Sequence, residues 1–182
     1  RVTSRVRRVD VEPGSIEYSA VTHPFPLPRR NWGTVSSTVT LRLAPYCERH
    51  RVVLISPTAS ASQLTEAGDY IFRTFPSDVL EAASMADFAR DLGLDRVAVL
   101  AVDNDYGLSL ARVFAERLRA SGGSLVASLT FPEGNAAAIA DAVAALPGLA
   151  PRGLYIPAYV GDLATALTRL RETNLRPIVL GT

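Results

Sequence analysis

Residues 96–120, RVAVLAVDNDYGLSLARVFAERLRA, change their period halfway along. Arg96 to Val102 is an apolar strand. From Asp105 to Ala120 the apolar positions follow helical spacing, with Leu110, Val113-Phe114 and Arg117-Leu118 on one face. Gly122-Gly123 ends that helix. The same unit recurs on both sides. Asp78-Val79-Leu80-Glu81 opens a helix that runs to about Leu92 and closes at Gly93. Downstream, Leu125–Phe131 reads as a strand, Ala136–Leu146 as an alanine-rich helix and Gly153–Ile156 as a strand. Asp162–Thr173 follows as a helix and Pro177–Leu180 as a last strand. Strand–helix alternation at this spacing implies right-handed βαβ units and a parallel sheet, an α/β fold.

Upstream the pattern is shorter. Tyr70–Thr74 is a brief strand stopped by Pro76. Ser37–His50 reads as a helix with Val39, Leu43 and Tyr46-Cys47 on one face. Val52-Val53-Leu54-Ile55 is a continuous β-branched run, expected to be a strand buried on both faces, and it stops at Ser56-Pro57. Ser60-Ala61-Ser62-Gln63 fits a capping box at a helix start. Residues 1 to about 33 differ from the rest. They hold Arg1, Arg5, Arg7 and Arg8, a cluster at Pro24, Pro26 and Pro28, and Arg29-Arg30. Weak alternation over Val9–Glu12 suggests a short edge strand, and the prolines exclude a central strand or helix over 24–28.

Bulk properties narrow the function. The chain has 182 residues, 48% of them hydrophobic and 20% charged, with a formal net charge of +1. That is the composition of a globular domain with a sizeable core, or of parts of two small lobes, and it supplies no global field toward nucleic acid or anionic membrane. The basic arm mixes in acidic residues and has few aromatics, so no nucleic-acid partner is expected. The single cysteine, Cys47, precludes an internal disulfide framework and reads as a small buried hydrophobe. No stretch reaches the roughly 18 apolar residues that span a bilayer. No apolar signal region follows Arg1, so the sequence reads as a processed chain or a fragment.

In open parallel sheets, ligands bind outside the carboxyl ends of the strands. The residues just after each strand therefore form the site list. These are Ser56, Pro57, Thr58, Ala59 and Ser60; Asp103, Asn104, Asp105 and Tyr106; Pro132, Glu133 and Gly134; and Pro157, Ala158 and Tyr159. Taken singly, the serines and threonines are commonly only caps, and Asp-Asn-Asp is commonly only a turn. Their coincidence on one sheet edge points to a pocket rich in hydroxyls and aromatic faces. A small carboxylate would suit the helix start at Ser60.

Catalytic readings find little support. No GxGxxG follows a strand, no Walker lysine exists because the chain has no Lys, and no GxSxG elbow occurs. His23 lies in the Pro-rich segment and His50 at a helix end. Asp103 with Asp105 is too sparse a set for a metal. No enzyme activity, cofactor or metal is expected.

Five segments in order carry a family resemblance: Leu54–Ser60 (LISPTAS), Leu64–Glu66 (LTE), Tyr70–Thr74 (YIFRT), Asp103–Gly107 (DNDYG) and Leu154–Tyr159 (LYIPAY). Their set resembles type I periplasmic binding proteins of the branched-chain amino-acid group, the Leu/Ile/Val-binding substrate carriers of ABC importers. The resemblance covers about Gly33 to Thr182; residues 1–32 do not resemble the family's opening strand and helix. It implies Rossmann-like parallel sheets with flanking helices in two lobes that close on ligand by a hinge. On that template, residues 1–32 are an atypical Arg/Pro-rich segment, 33–76 part of lobe 1, and 77–182 a nearly complete lobe 2. The first crossing between lobes falls near Arg73–Ser77, and Gly181-Thr182 stands near the return crossing.

The resemblance also assigns contacts in the inter-lobe cleft. Ser37 matches a serine that binds the ligand's α-carboxylate, and Ser60 a hydroxyl residue that does so with side chain and N–H. Thr58 matches a position whose carbonyl meets the ligand ammonium, and Ala59 a neighbouring contact. Tyr106 and Tyr159 match the lobe-2 aromatics that cover the ligand. The family's acidic partner for the ammonium lies past Thr182. The implied function is an extracytoplasmic receptor, periplasmic or lipid-anchored, that captures an amino acid or similar small polar ligand for an ABC permease. A regulatory or sensory module on the same fold, such as an amide sensor or an activator of cell-wall synthesis, is the alternative; a hydrolase or dehydrogenase is the third and least supported.

Overall fold

A computed structural model describes residues 32–182. The edge strand at Val9–Glu12, the proline cluster, the arginine-rich arm and His23 lie outside the described residues. The chain divides into two compact units, with the boundary in sequence between Ser77 and Asp78.

The first unit is a three-stranded parallel sheet in the order β1 (Trp32–Gly33), β2 (Leu54–Ser56), β3 (Ile71–Arg73), with helix α1 (Ser37–His50) connecting β1 to β2. Ala44 and Cys47 of α1 pack with Leu54, Ala59, Ala61, Leu64 and Ile71. Cys47 is fully buried, as a small hydrophobe would be. Tyr46 instead turns outward onto the His50 ring, 4.4 Å away, so it is not part of the core face.

Two expectations fail in this unit. The strand does not begin at Val52, because the Arg51 and Val52 N–H groups close α1 by donating to the carbonyls of Glu48 and Cys47. Nor is it buried on both faces. Leu54 and Ser56 are fully buried, but Ile55 is 38% exposed beside its register partner Phe72. A strand alternates its side chains, and among the described residues only the Leu54 face is covered by a helix. A β-branched run reports propensity, whereas coverage of each face is set by what packs there.

The second unit is a four-stranded parallel sheet in the order β5 (Ser124–Phe131), β4 (Arg96–Val102), β6 (Gly153–Ile156), β7 (Ile178–Gly181). Helices α2 (Asp78–Asp91) and α3 (Asp105–Ala120) cover one face, and α4 (Ala136–Ala145) and α5 (Val160–Glu172) the other. The alternation is complete in β4. Val97, Val99 and Ala101 enter the α2–α3 layer, where Phe114 stacks on Tyr155 at 4.3 Å, while Ala98, Leu100 and Val102 enter the α4–α5 layer. Burial on both faces is what makes β4 read as continuous apolar sequence.

The chain leaves β4 through α3 to β5 on one side, then crosses back through α4 to β6 on the other. The order therefore reverses between β4 and β6, and the carboxyl ends of these two strands flank a topological switch point. The parallel α/β architecture and its flanking helices match the expected type I periplasmic-binding fold.

Candidate functional site

Two groups of residues carry the expected chemistry, one in each unit. In the first, Ser37 is the opening residue of α1. Its buried Oγ accepts the backbone N–H groups of Ser60 and Ala61, both at 3.2 Å. Two accepted bonds use both lone pairs of a hydroxyl, so the capacity left to Ser37 is donation through its O–H. The surrounding hydroxyls lace the same two segments together. Ser56 Oγ donates to the Thr34 carbonyl at 2.8 Å and accepts from Ala59 N–H at 2.9 Å. Thr58 Oγ1 donates to the Val35 carbonyl at 2.6 Å. Thr40 gives its proton to the Ser36 carbonyl at 2.7 Å, which makes Thr34 the donor in the 2.6 Å Thr34–Thr40 contact.

The capping box expected at Ser60–Gln63 does not form. The element there is a five-residue 3₁₀ turn, Ser62–Glu66, whose preceding residue is Ala61, and no side chain caps it. The turn is tied to β3. The Arg73 guanidinium donates through Nη1 to the carbonyls of Ser60 and Ala61, at 3.0 and 2.9 Å, and through Nη2 to Thr65 Oγ1 at 2.7 Å. With these carbonyls held by Arg73, the chain turns tightly, and Leu64 N–H reaches Ala61 three residues back rather than four. The anion-favouring dipole expected of a full helix at Ser60 is therefore absent; the two N–H groups aimed at Ser37 stand in its place.

In the second unit, the aromatic pair sits at the switch point. Tyr106 lies in the first turn of α3, just after β4, and Tyr159 lies just after β6 at the start of α5. Their rings stack with centroids 5.4 Å apart and planes 12° from parallel. Asn104 fixes both sides of this arrangement. Its Oδ1 accepts from Gly107 N–H at 3.0 Å and so caps α3, while its Nδ2 donates to Tyr159 Oη at 3.4 Å and to Glu133 Oε2 at 3.3 Å. Tyr106 Oη bonds Thr182 Oγ1 at 2.9 Å. Buried Asp162 accepts Gly134 N–H at 3.1 Å, tying the turn after β5 to α5.

Close approach of α3 to β4 makes the Tyr106 position dependent on Gly107. A Cβ there would collide with the backbone carbonyl of Val102. Burial pushes both phenols above their ordinary pKa; the Thr182 bond opposes this at Tyr106 and the Asn104 bond opposes it at Tyr159. At neutral pH both rings are uncharged. They offer apolar faces and phenolic oxygens.

Ser37 and Ser60 are thus brought together with Ala61, which the sequence did not single out. Thr58 and Ala59 lie in the same laced loop. Tyr106 and Tyr159 meet each other. The sequence reading also passed over Arg73, although the YIFRT segment contains a cation at the end of a strand, and it listed Asn104 without its bridging role. Among the described residues, no three of His, Cys, Asp or Glu cluster to hold a metal ion.

A reversed parallel sheet with polar and aromatic residues at its carboxyl edge defines the open α/β class that holds small ligands there. A family profile described as periplasmic binding protein matches residues 31–182. The chain belongs to the periplasmic binding protein family. A substrate-binding protein of a chemotactic signal transduction system, BasB of Halobacterium salinarum, is 34% identical over 110 residues, covering 56% of this chain and 26% of that protein. The crystal structure of the leucine-binding protein LivK from Thermotoga maritima superposes with a TM-score of 0.76 at 24% identity, over 82% of this chain and 43% of that one. A solute-binding protein of an ABC transporter from R. palustris, solved with benzoate, has a TM-score of 0.76 at 19% identity, over 83% of this chain and 42% of that one. The chain spans less than half the length of each of these relatives.

Proposed function

We propose that this chain carries the ligand-binding surfaces of an extracytoplasmic solute receptor that captures an amino acid or a similar small carboxylate for an ABC importer, and that it has no enzymatic activity. The observation that carries the reading is the Ser37 hydroxyl, saturated as an acceptor by the N–H groups of Ser60 and Ala61. A hydroxyl in that state can only donate, so it suits a group that only accepts, and a carboxylate is the commonest such group on a small metabolite. Thr58 and Ala59 line the same loop. In the second unit, the neutral Tyr106–Tyr159 pair offers aromatic faces of the kind that apolar side chains and aromatic acids pack against. The leucine and benzoate named with two structural neighbours mark the chemical range.

Thermal shift of the 182-residue chain against L-leucine, L-glutamate and benzoate tests this. Stabilisation should grow with ligand concentration, and it should weaken in Ser37→Ala and in Tyr106→Ala. Absence of any shift with amino acids, amides or short-chain acids, or affinity unchanged in both variants, would overturn it.

A second reading has a specific observation behind it. The similarity to a chemotactic substrate-binding protein supports a sensory receptor using the same ligand surface. Permease and ATPase genes beside this one would favour import, and a signalling transducer gene would favour sensing.

A further inference from the structure

We infer that Arg73 is a positioning residue that polarises the carboxylate-binding face of the first unit without touching the ligand, through the single peptide group between Ser60 and Ala61. This rests on the proposed carboxylate function of Ser37 for its ligand side, but the relay itself is a property of the ligand-free chain.

The Ser60 carbonyl and the Ala61 N–H belong to one planar peptide unit, and they point in opposite directions. Arg73 Nη1 donates to that carbonyl at 3.0 Å, and the N–H on the other end of the unit donates to Ser37 Oγ at 3.2 Å. A cation on the oxygen draws electron density across the conjugated bond and makes the N–H a stronger donor. That donor in turn sharpens the Ser37 O–H, because hydrogen bonds in series polarise one another. Ser37, Ser60 and Ala61 are all nearly inaccessible and Arg73 is half-buried, so the peptide group and the hydroxyl it serves are shielded from solvent. The second Nη1 bond, to the Ala61 carbonyl at 2.9 Å, and the Nη2 bond to Thr65 at 2.7 Å hold the planar fork in register. Guanidinium geometry is required here, since one ammonium on a flexible stem does not hold two successive carbonyls and a hydroxyl together. Among the described residues no acidic side chain pairs with Arg73; its charge is directed at carbonyls and a hydroxyl that lead to the binding face.

The test uses the 182-residue chain, amide NMR and two matched ligand pairs, L-leucine with L-leucinamide and benzoate with benzamide. Arg73→Met keeps the stem and removes the charge. The Ala61 amide proton should move upfield and exchange faster, while amides of β4 stay unchanged. The preference for carboxylate over carboxamide should fall by about tenfold. Arg73→Lys should recover only part of each effect, and it serves as the test if the methionine variant does not fold. Thr65→Val, which leaves both carbonyl bonds in place, should leave the Ala61 amide where it was. A purely structural role predicts equal losses for acid and amide, and that result overturns the inference, as does an Ala61 amide that ignores Arg73→Met. If the wild-type chain binds neither acid, the receptor reading fails, and the relay is then judged on the Ala61 amide alone.

Discussion

Ser56 offers the sharpest stability prediction. Its hydroxyl is fully buried and bridges two backbone groups, the Thr34 carbonyl at 2.8 Å and the Ala59 N–H at 2.9 Å, on segments that are themselves buried. Ser56→Ala adds no volume and leaves both groups without their partner. A buried backbone group stripped of its bond costs about 1–3 kcal/mol, so the pair should cost about 2–4 kcal/mol after partial relaxation. Thr58→Val is the matched control. It removes one shorter bond, 2.6 Å to the Val35 carbonyl, but at an exposed position where water takes over, so its cost should be about 1 kcal/mol or less. Urea unfolding followed through the amide NMR signals of α1, Ser37–His50, reads the first unit. Equal midpoints for the two variants would show that the Ser56 bridge does not anchor the serine loop.

Gly107→Ala should destabilise the second unit by about 2 kcal/mol or more, because the new methyl meets a backbone carbonyl that cannot swing aside; chemical denaturation followed by near-ultraviolet tyrosine signals checks it. Burial, and secondarily the neighbouring Glu48 charge, pushes the Cys47 thiol up. The native chain should therefore resist a thiol reagent at pH 8 and react fully once unfolded. Asp87 is held below the usual carboxylate range, first by its hydrogen bond from Arg117 and then by the charges of Arg117 and Arg90. A depressed folded value means its contribution is present above the unfolded pKa near 4 and is lost as pH falls through the folded value. Arg117→Ala should accordingly lower stability modestly at pH 7, leave it near the parent value once pH falls below the folded pKa, and so flatten the acid limb of the stability profile.

What was legible in the sequence was the second unit. The bounds of α3, Asp105 to Ala120, follow directly from the switch of period after Val102, because β4 is apolar on both faces and α3 on one. The meeting of Tyr106 and Tyr159 was within reach of the rule that ligands sit beyond strand ends, since sheet order alone places those two ends side by side. The first unit was harder. Its serine face is assembled by bonds between residues 23 and 24 positions apart, and local pattern contains no trace of them; only the family resemblance put Ser37 and Ser60 in one site. The capping box at Ser60 failed for the same reason. Arg73, which holds the Ser60 carbonyl, lies 13 residues on, beyond the reach of any local pattern. Exposure of Ile55 was likewise invisible, because a β-branched run says which backbone shape is favoured and not which face is covered.

The serine face is best judged by an amide NMR titration of the 182-residue chain with L-leucine and with benzoate. Saturable movement of the Ser60 and Ala61 amides, abolished in Ser37→Ala, is the expected result. Binding that leaves those two amides still, or binding by neither acid, would contradict the account.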